Sequence, residues 1–215
     1  MRFGEIAPSI PFILEGMKVT LSYAGISVVL GFILGLGLTF VKLSSKKWVR
    51  FLGAAYTSIF RGTPLILQLA LIYYALPQVF DISLSAFQAG VLTFSLNSAA
   101  YSSEIIKAGI ESIDKSQREA AMVLGVSHID MMKDIILPQT FRRILPSLVN
   151  ETIDLLKESA IVSTIGEADL LRRATMVSAE KYTYLEPLII AGLCYYVMVM
   201  TLTILAKKLE KRLNY

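Results

Sequence analysis

Glu151, Asp154 and Glu158 recur at three- and four-residue spacing inside a mostly apolar stretch running from about Ile144 to Ile165. On a helical wheel at 100° per residue, Glu158 lies about +40° from Asp154 and Glu151 about +60°. Asn150 falls at about −40° and Lys157 at about −60°. Three carboxylates thus share a narrow face with an amide on its edge. Insertion of one such acid into a bilayer interior costs roughly 2.5–3.5 kcal/mol, so the face should look toward water, a partner helix or basic residues. Its chemistry is recognition of a cationic group. Neutralisation by Lys157, Arg61 or Arg143 is the competing structural reading, and the residues alone leave both open. Asn97, Ser98 and Tyr101, in another apolar stretch, can add hydrogen bonds to an amino or carboxylate group. Catalysis and metal binding are not expected. His128 and Cys194 are the sole histidine and cysteine, so they supply no metal set, triad or intrachain disulfide.

A second constellation spans residues 116–138. Ser116-Gln117-Arg118-Glu119 has the form of a capping box, with a hydroxyl at the N-cap and a carboxylate three residues on. Ala120, Ala121, Val123 and Leu124 continue an apolar stripe. Gly125 can end that helix at positive φ. Ser127 can cap a second short helix reaching Lys133, and Pro138 marks a turn into the next apolar stretch. The spacing predicts an amphipathic helix–Gly–helix hairpin held at a membrane surface.

The elements that position these residues are membrane spans. Of 215 residues, 54% are hydrophobic and only 18% charged, with a mean hydropathy of +0.60. A soluble domain carries about 25% charged residues, so an ordinary soluble enzyme is disfavoured. The net charge of +4 is modest, and the basic residues flank apolar runs. Nucleic acid is therefore not an expected partner. Charge-free stretches run from Val19 to Val41, Gly62 to Phe80, Ile82 to Ser103 and Pro187 to Ala206. Each is long enough to cross a bilayer core of about 30 Å as a helix. The second can begin near Phe51, with Gly62-Thr63-Pro64 as an internal break. The acidic stretch makes the fifth span. Gly31-x-x-x-Gly35 in the first span reads as a close helix-packing face. The start Met1-Arg2-Phe3-Gly4-Glu5 lacks a secretory signal pattern, and Ser9 to Lys18 reads as an amphipathic lead-in. Trp48 and Lys47 fit an interfacial anchor.

Orientation follows from Lys and Arg in the loops. Lys42, Lys46, Lys47 and Arg50 follow the first span. Lys107, Lys115, Arg118, Lys133, Arg142 and Arg143 follow the third, and Lys207, Lys208, Lys211 and Arg212 end the chain. Placing these inside puts the N-terminus outside and, with five spans, the C-terminus inside. Arg172, Arg173 and Lys181 then fall outside, interspersed with Glu167, Asp169 and Glu180. The segment from Glu167 to Lys181 is expected as a short external helix. The fold class is all-α, a polytopic membrane protein with five transmembrane helices and a cytoplasmic helical hairpin. One domain covers 1–215, with its core at about 13–208.

Glu119-Ala120-Ala121, Gly125, Ile135 and Leu137-Pro138 together resemble the EAA loop of ABC importer permeases. The resemblance extends along most of the chain. Gly16-Met17-Lys18-Val19-Thr20-Leu21, Arg61-Gly62-Thr63-Pro64-Leu65, Asn97-Ser98-Ala99-Ala100-Tyr101 with Glu104, and Leu156-Lys157-Glu158-Ser159 are similar to the polar amino acid branch. The resemblance implies a type I permease subunit in a bacterial inner (plasma) membrane. It implies pairing with a second permease chain, an identical one in the simplest case. It also implies two ATP-binding cassette subunits and a substrate-binding protein. The EAA hairpin would be the coupling helix that docks into the ATPase. The chain has no G-x-x-x-x-G-K-[ST] motif, so it carries no nucleotide or other cofactor itself; ATP and Mg would belong to the partner ATPase.

The function expected is alternating-access import of a polar amino acid, cationic in the first reading: arginine, lysine or histidine. A permease for uncharged polar amino acids such as glutamine is the alternative. An ion-coupled carrier working alone is a further one, disfavoured because the hairpin has no purpose without a partner and no inverted repeat is visible.

Overall fold

The structure is a computed structural model that describes residues 3–213. Met1 and Arg2, which open the sequence read above as lacking a signal, lie outside the described residues. Among the described residues all regular structure is helical.

Helix α1 (Phe3–Lys42) is 40 residues long and apolar enough to cross a membrane. It tightens to a 3-10 turn at Ala7–Ser9 and resumes at Ile10–Lys42. Pro8 and Pro11 are accommodated because each sits at the start of one of these segments, where its missing N–H is not needed. The expected lead-in from Ser9 to Lys18 is therefore part of the first helix.

Helix α2 (Lys47–Gly62) ends at Thr63 and Pro64, both extended. Helix α3 (Leu65–Phe80) leaves at 104° to it. The expected break at Gly62-Thr63-Pro64 is a sharp bend, enforced by the proline's bias against a helical predecessor. Helix α3 contains a π-turn at Leu71–Ala75, just before Pro77.

Helix α4 (Ala86–Glu111) starts at a capping box formed by Ser85 and Gln88. The third span was expected from Ile82 to Ser103. It begins later, because the Ser85 cap fixes its start, and it continues two turns further. The loop beyond it is correspondingly shorter than forty residues. Its charge-free run is rich in Ser, Thr, Gly and Ala, and these small residues face protein. Helix α4 makes its most extensive packing with α1. A β-carbon on Gly31 would fall 2.6 Å from the Ser98 β-carbon, and one on Gly35 would fall 2.8 Å from that of Ser102. The Gly31–Gly35 face is thus the close seam between α1 and α4.

Helix α5 (Lys115–Val123) forms the first arm of the hairpin. Its N-cap is Asp114, whose carboxylate accepts from Ser116 N at 2.9 Å. The expected Ser116–Glu119 capping box does not form; Ser116 lies inside the first turn and the aspartate two residues earlier satisfies the free N–H. That bond holds the Asp114 carboxyl below its ordinary range. Gly125 has φ +70°, and Val126 N donates to Ala121 O at 3.0 Å in a Schellman-like closure. Ser127 caps the second arm by accepting from Asp130 N at 3.2 Å.

That second arm does not stop at Lys133 or turn at Pro138. Helix α6 (128–158) runs through His128–Asp130, a π-turn at Met131–Ile136 and Leu137–Glu158 without a break. The π-turn precedes Pro138 as the other precedes Pro77, and the widened turn absorbs the missing donor. A 3-10 turn (Ser159–Ile165) follows and ends at Gly166, φ +91°. The segment expected as a short helix forms α7 (Leu170–Lys181), and α8 (Leu185–Leu213) is the last of the described helices.

Helix α8 is long and apolar enough to span, as is α1, and the bent pair α2–α3 qualifies if counted as one span. Helices α4 and α6 do not meet that standard alone, because polar residues interrupt their apolar runs: buried Ser, Thr and Asn side chains on α4, and Asn150, Asp154, Lys157 and Glu158, all exposed, on α6.

Candidate functional site

The acidic face of α6 opens on a cavity of about 540 Å³. Its lining includes Glu151, Asp154 and Glu158 from α6, Asn97 and Tyr101 from α4, and the apolar Leu155 and Ile161. The structure thus brings together five of the seven residues expected to contact a substrate. Asn150 is exposed and outside this lining. Ser98 is buried at the α1–α4 seam and lines a smaller cavity of about 210 Å³, which it shares with Glu151. The displacement is small: Ser98 is one residue from Asn97 and so 100° around the helix.

Lys157 also lines the cavity, and its Nζ sits 2.6 Å from Asp154 Oδ1. Asp154 is therefore the paired acid, while Glu151 and Glu158 carry no ion pair of that kind. Both members of the Asp154–Lys157 pair are exposed, so the bond is of the labile surface type. Arg61, undecided from sequence, lies with its guanidinium 5.2 Å from the Tyr101 ring centre, on the side of the cavity where α2 ends. Three carboxylates against Lys157 in the lining leave the cavity acidic.

Asn97 has a second duty. Its Nδ2 donates to Phe60 O at 3.2 Å and Gln68 Oε1 at 3.0 Å. Gln68 Nε2 in turn donates to Phe60 O at 2.8 Å and to Thr63 O and Oγ1 at 3.1 and 2.9 Å. The two amides satisfy the carbonyls that the α2–α3 bend leaves unpaired. Sequence reading missed Gln68, although a single amide within the apolar run from Leu65 to Ala75 was a usable signal. Tyr56 OH adds a bond to Leu96 O at 2.8 Å, tying α2 to α4.

The hairpin residues take distinct places. Ala121 is buried in a cluster with Ile113, Met131 and Ile136. Ile135 packs against that cluster and its carbonyl accepts from Gln139 Nε2 at 2.8 Å. Glu119, Ala120, Leu137 and Pro138 are exposed, and Gly125 makes the turn. Between them Val123 and Leu124 project, 87% and 80% exposed. These two were read as part of a helix stripe, and their exposure makes them the apolar tip. The hairpin is braced to the spans. Gln117 and Gln139 exchange amide bonds of 3.2 and 2.6 Å, and Arg118 Nη2 donates to Ile110 O at 2.7 Å. Arg143 Nη1 donates to Ser112 O at 2.5 Å.

On the opposite side of the chain, α7 is docked on α1. A β-carbon on Gly16 would fall 2.6 Å from Leu170 Cα, and Leu170 N donates to Thr20 Oγ1 at 3.3 Å. The Gly16–Thr20 run is thus a seat for α7. Asp169 caps α7 through Arg172 N at 2.9 Å, and Tyr195 OH donates to it at 3.3 Å. Arg173, which disagreed with the charge rule, is bonded to Glu15 Oε2 at 2.8 Å and Phe12 O at 3.1 Å. Its charge is neutralised locally. Tyr196 is exposed, and Cys194 is a free thiol. Among the described residues no cluster suits a metal.

An all-helical membrane chain with a bent helix pair, an acidic cavity face and a braced hairpin is the architecture of an importer permease. The sequence profile described as binding-protein-dependent transport system inner membrane component matches residues 9–215, and the chain belongs to that family. It is a multi-pass inner membrane permease subunit of an amino acid ABC importer, not an enzyme; the ATPase is a separate subunit in these systems. The chain is 52% identical over 214 residues to the arginine transport system permease protein ArtQ of Bacillus subtilis (strain 168), covering 100% of this chain and 98% of that one. It is also 52% identical over 206 residues to the putative glutamine transport system permease protein GlnP of Rickettsia typhi, covering 96% and 94%. Among solved structures it resembles an amino acid ABC transporter crystallised with histidines, at a TM-score of 0.93 and 42% identity over 99% of both chains.

Proposed function

We propose that this permease carries cationic amino acids, and that the α6 cavity is where the membrane subunit reads their charge. The observation that carries the reading is the convergence of Glu151, Asp154 and Glu158 on one cavity of about 540 Å³, with Lys157 as the only cation among the described residues of its lining. An amino acid with a basic side chain brings two positive groups and one carboxylate. Glu151 and Glu158 suit the ammonium and side-chain cations. Tyr101, and Arg61 behind it, suit the α-carboxylate. The identity to an arginine permease and the likeness to a transporter crystallised with histidines support the same class.

In this reading the chain crosses the membrane five times, as α1, the bent α2–α3, α4, α6 with its 3-10 extension, and α8. The N-terminus lies outside and the C-terminus inside. The exposed rim at Asp154, Lys157 and Glu158 faces a second permease chain, an identical copy in the simplest assembly. Two ATPase subunits take up the hairpins at Val123 and Leu124, through the constellation of Glu119, Ala120, Ala121, Gly125, Ile135, Leu137 and Pro138. Closure of the ATPases tilts the spans and turns the cavity from outside to inside. A substrate-binding protein delivers the amino acid outside.

The test is equilibrium binding of radiolabelled arginine to the assembled importer, wild type against Glu151→Gln, Asp154→Asn and Glu158→Gln, with glutamine and glutamate as competitors. Arginine binding lost in Glu151→Gln and Glu158→Gln supports the assignment. The rickettsial glutamine permeases give the second reading its basis. Displacement of arginine by equimolar glutamine, or binding unchanged in all three variants, overturns the cationic reading.

A further inference from the structure

A further cavity, about 620 Å³, lies where α1 and α4 end above the hairpin. One half of its lining is apolar: Phe40 and Leu43 from the end of α1, Ile110 from α4, and Ile129, Met132 and Leu137 from α6. The other half is polar and basic, with Arg118, Lys133 and His128 facing Glu111. The carboxylate of Glu111 lies 3.7 Å from Lys107 Nζ in a largely exposed pair, so the lining sets two basic side chains, Arg118 and Lys133, against one partly screened acid. The neighbouring Asp130 is outside the lining and bonded to Ser127 Oγ at 2.6 Å. Asp134 is exposed and outside the lining as well. Arg118 uses Nη2 on Ile110 O, which fixes its guanidinium in place. Lys133 is exposed and has no ion pair among the described residues.

Two cations beside an apolar wall describe an amphipathic anion. The wall continues along α1, where Phe40, Leu36, Ile33 and Val29 form an exposed apolar stripe three to four residues apart. This stripe belongs to a helix apolar enough to span the membrane, so hydrocarbon lies against it. We propose that the cavity holds the phosphate headgroup of an anionic phospholipid. Its phosphodiester lies between Arg118 and Lys133, its glycerol region against Phe40 and Leu43, and its acyl chains along the α1 stripe. A free phosphate would leave the apolar half of the cavity unused. Basic pockets between membrane helices are known to take such headgroups, each basic residue contributing about 1 kcal/mol, or roughly fivefold in affinity. The bound lipid would wedge between the end of α1 and the hairpin, and so couple the hairpin's position to the charge of the bilayer.

Native mass spectrometry of the assembled importer with its ATPase, in detergent, tests this directly. Dioleoyl phosphatidylglycerol is titrated against dioleoyl phosphatidylcholine. Wild type should retain phosphatidylglycerol in excess. Lys133→Gln should weaken that retention about fivefold, Lys133→Arg should preserve it, and Lys47→Gln, outside the cavity, should leave it unchanged. Arg118→Gln also removes the bond to Ile110, so Lys133 carries the decision. Equal retention of the two lipids overturns the proposal, as does an excess indifferent to Lys133→Gln. Displacement of the lipid by millimolar inorganic phosphate would reassign the site to free anions. An excess seen with the permease alone and lost once the ATPase docks would reassign the surface to the ATPase.

Discussion

Arg118 and Arg143 hold the same helix end from opposite arms of the hairpin. Arg118, on α5, donates to Ile110 O in the last turn of α4, and Arg143, on α6, donates to Ser112 O, two residues on at its C-cap. The last carbonyls of a helix have no partner within it, and a cation there also complements the helix dipole. The two guanidiniums convert that free end into a joint. A push on the hairpin therefore reaches α4, which carries Asn97 and Tyr101, as well as α6, which carries the acids.

Arg143→Ala should break one side of this joint without touching the apolar tip. The expected result is an importer that assembles and hydrolyses ATP but transports severalfold less substrate per ATP. Parallel measurement of hydrolysis and uptake in proteoliposomes checks it. Hydrolysis and uptake falling together would mean that Arg143 only stabilises the hairpin.

The α1–α4 seam admits no side chain at Gly31. Gly31→Ala places a methyl group 2.6 Å from the Ser98 β-carbon, so one helix must move. Overpacking of this kind costs about 1–3 kcal/mol. The variant should melt several degrees lower in a detergent thermal-shift assay, and adding Ser98→Gly should restore part of the loss. Gly37→Ala, which meets nothing within 4 Å, should melt as wild type.

How much of this was legible in the sequence differs by feature, for physical reasons. Helical periodicity is local, so the shared face of Glu151, Asp154 and Glu158 could be worked out from spacing, as could the Gly31–Gly35 seam. The Gly125 turn and the Gly62-Thr63-Pro64 break were legible because glycine and proline act on their own backbone. The failures are of another kind. The Ser116–Glu119 spacing fits a cap, but Asp114, two residues earlier, reaches the free N–H of the first turn itself. Pro138 was taken as a turn because the π-turn that absorbs it has no sequence mark. Asn97 was assigned to substrate alone, while its partners Phe60 and Gln68 lie 37 and 29 residues away and meet it only in the fold. The pairing of Lys157 with Asp154 was on the wheel as a possibility; only side-chain geometry decides it.

The amide clamp at the bend yields its own expectation. Gln68→Leu removes the donor to Thr63 O and Oγ1 and one of the two donors to Phe60 O, and it takes from the buried Asn97 amide its acceptor Gln68 Oε1. An unsatisfied buried polar group costs about 1–3 kcal/mol. Uptake should fall and the melting temperature drop, with Ile66→Leu, exposed two residues earlier, as the neutral control. If Gln68→Leu retained wild-type stability and uptake, the bend would be held by packing and the proline alone.

Lys157→Met isolates the electrostatics of the cavity from its shape. The substitution keeps an unbranched side chain, one heavy atom shorter, and removes the ammonium 2.6 Å from Asp154. If the acids read a cationic substrate, Lys157 is a competitor for Asp154, and its removal frees that carboxylate. Because the pair is exposed, it contributes at most about 1 kcal/mol, so arginine affinity should rise by no more than about fivefold. Glutamine affinity should stay unchanged, since its side chain carries no charge to answer the freed acid. Isothermal titration of the assembled importer with both amino acids separates the cases. If arginine binding weakens instead, Lys157 positions the site, or meets the substrate carboxylate itself. The cation-recognising role would then fall to Glu151 and Glu158 without Asp154.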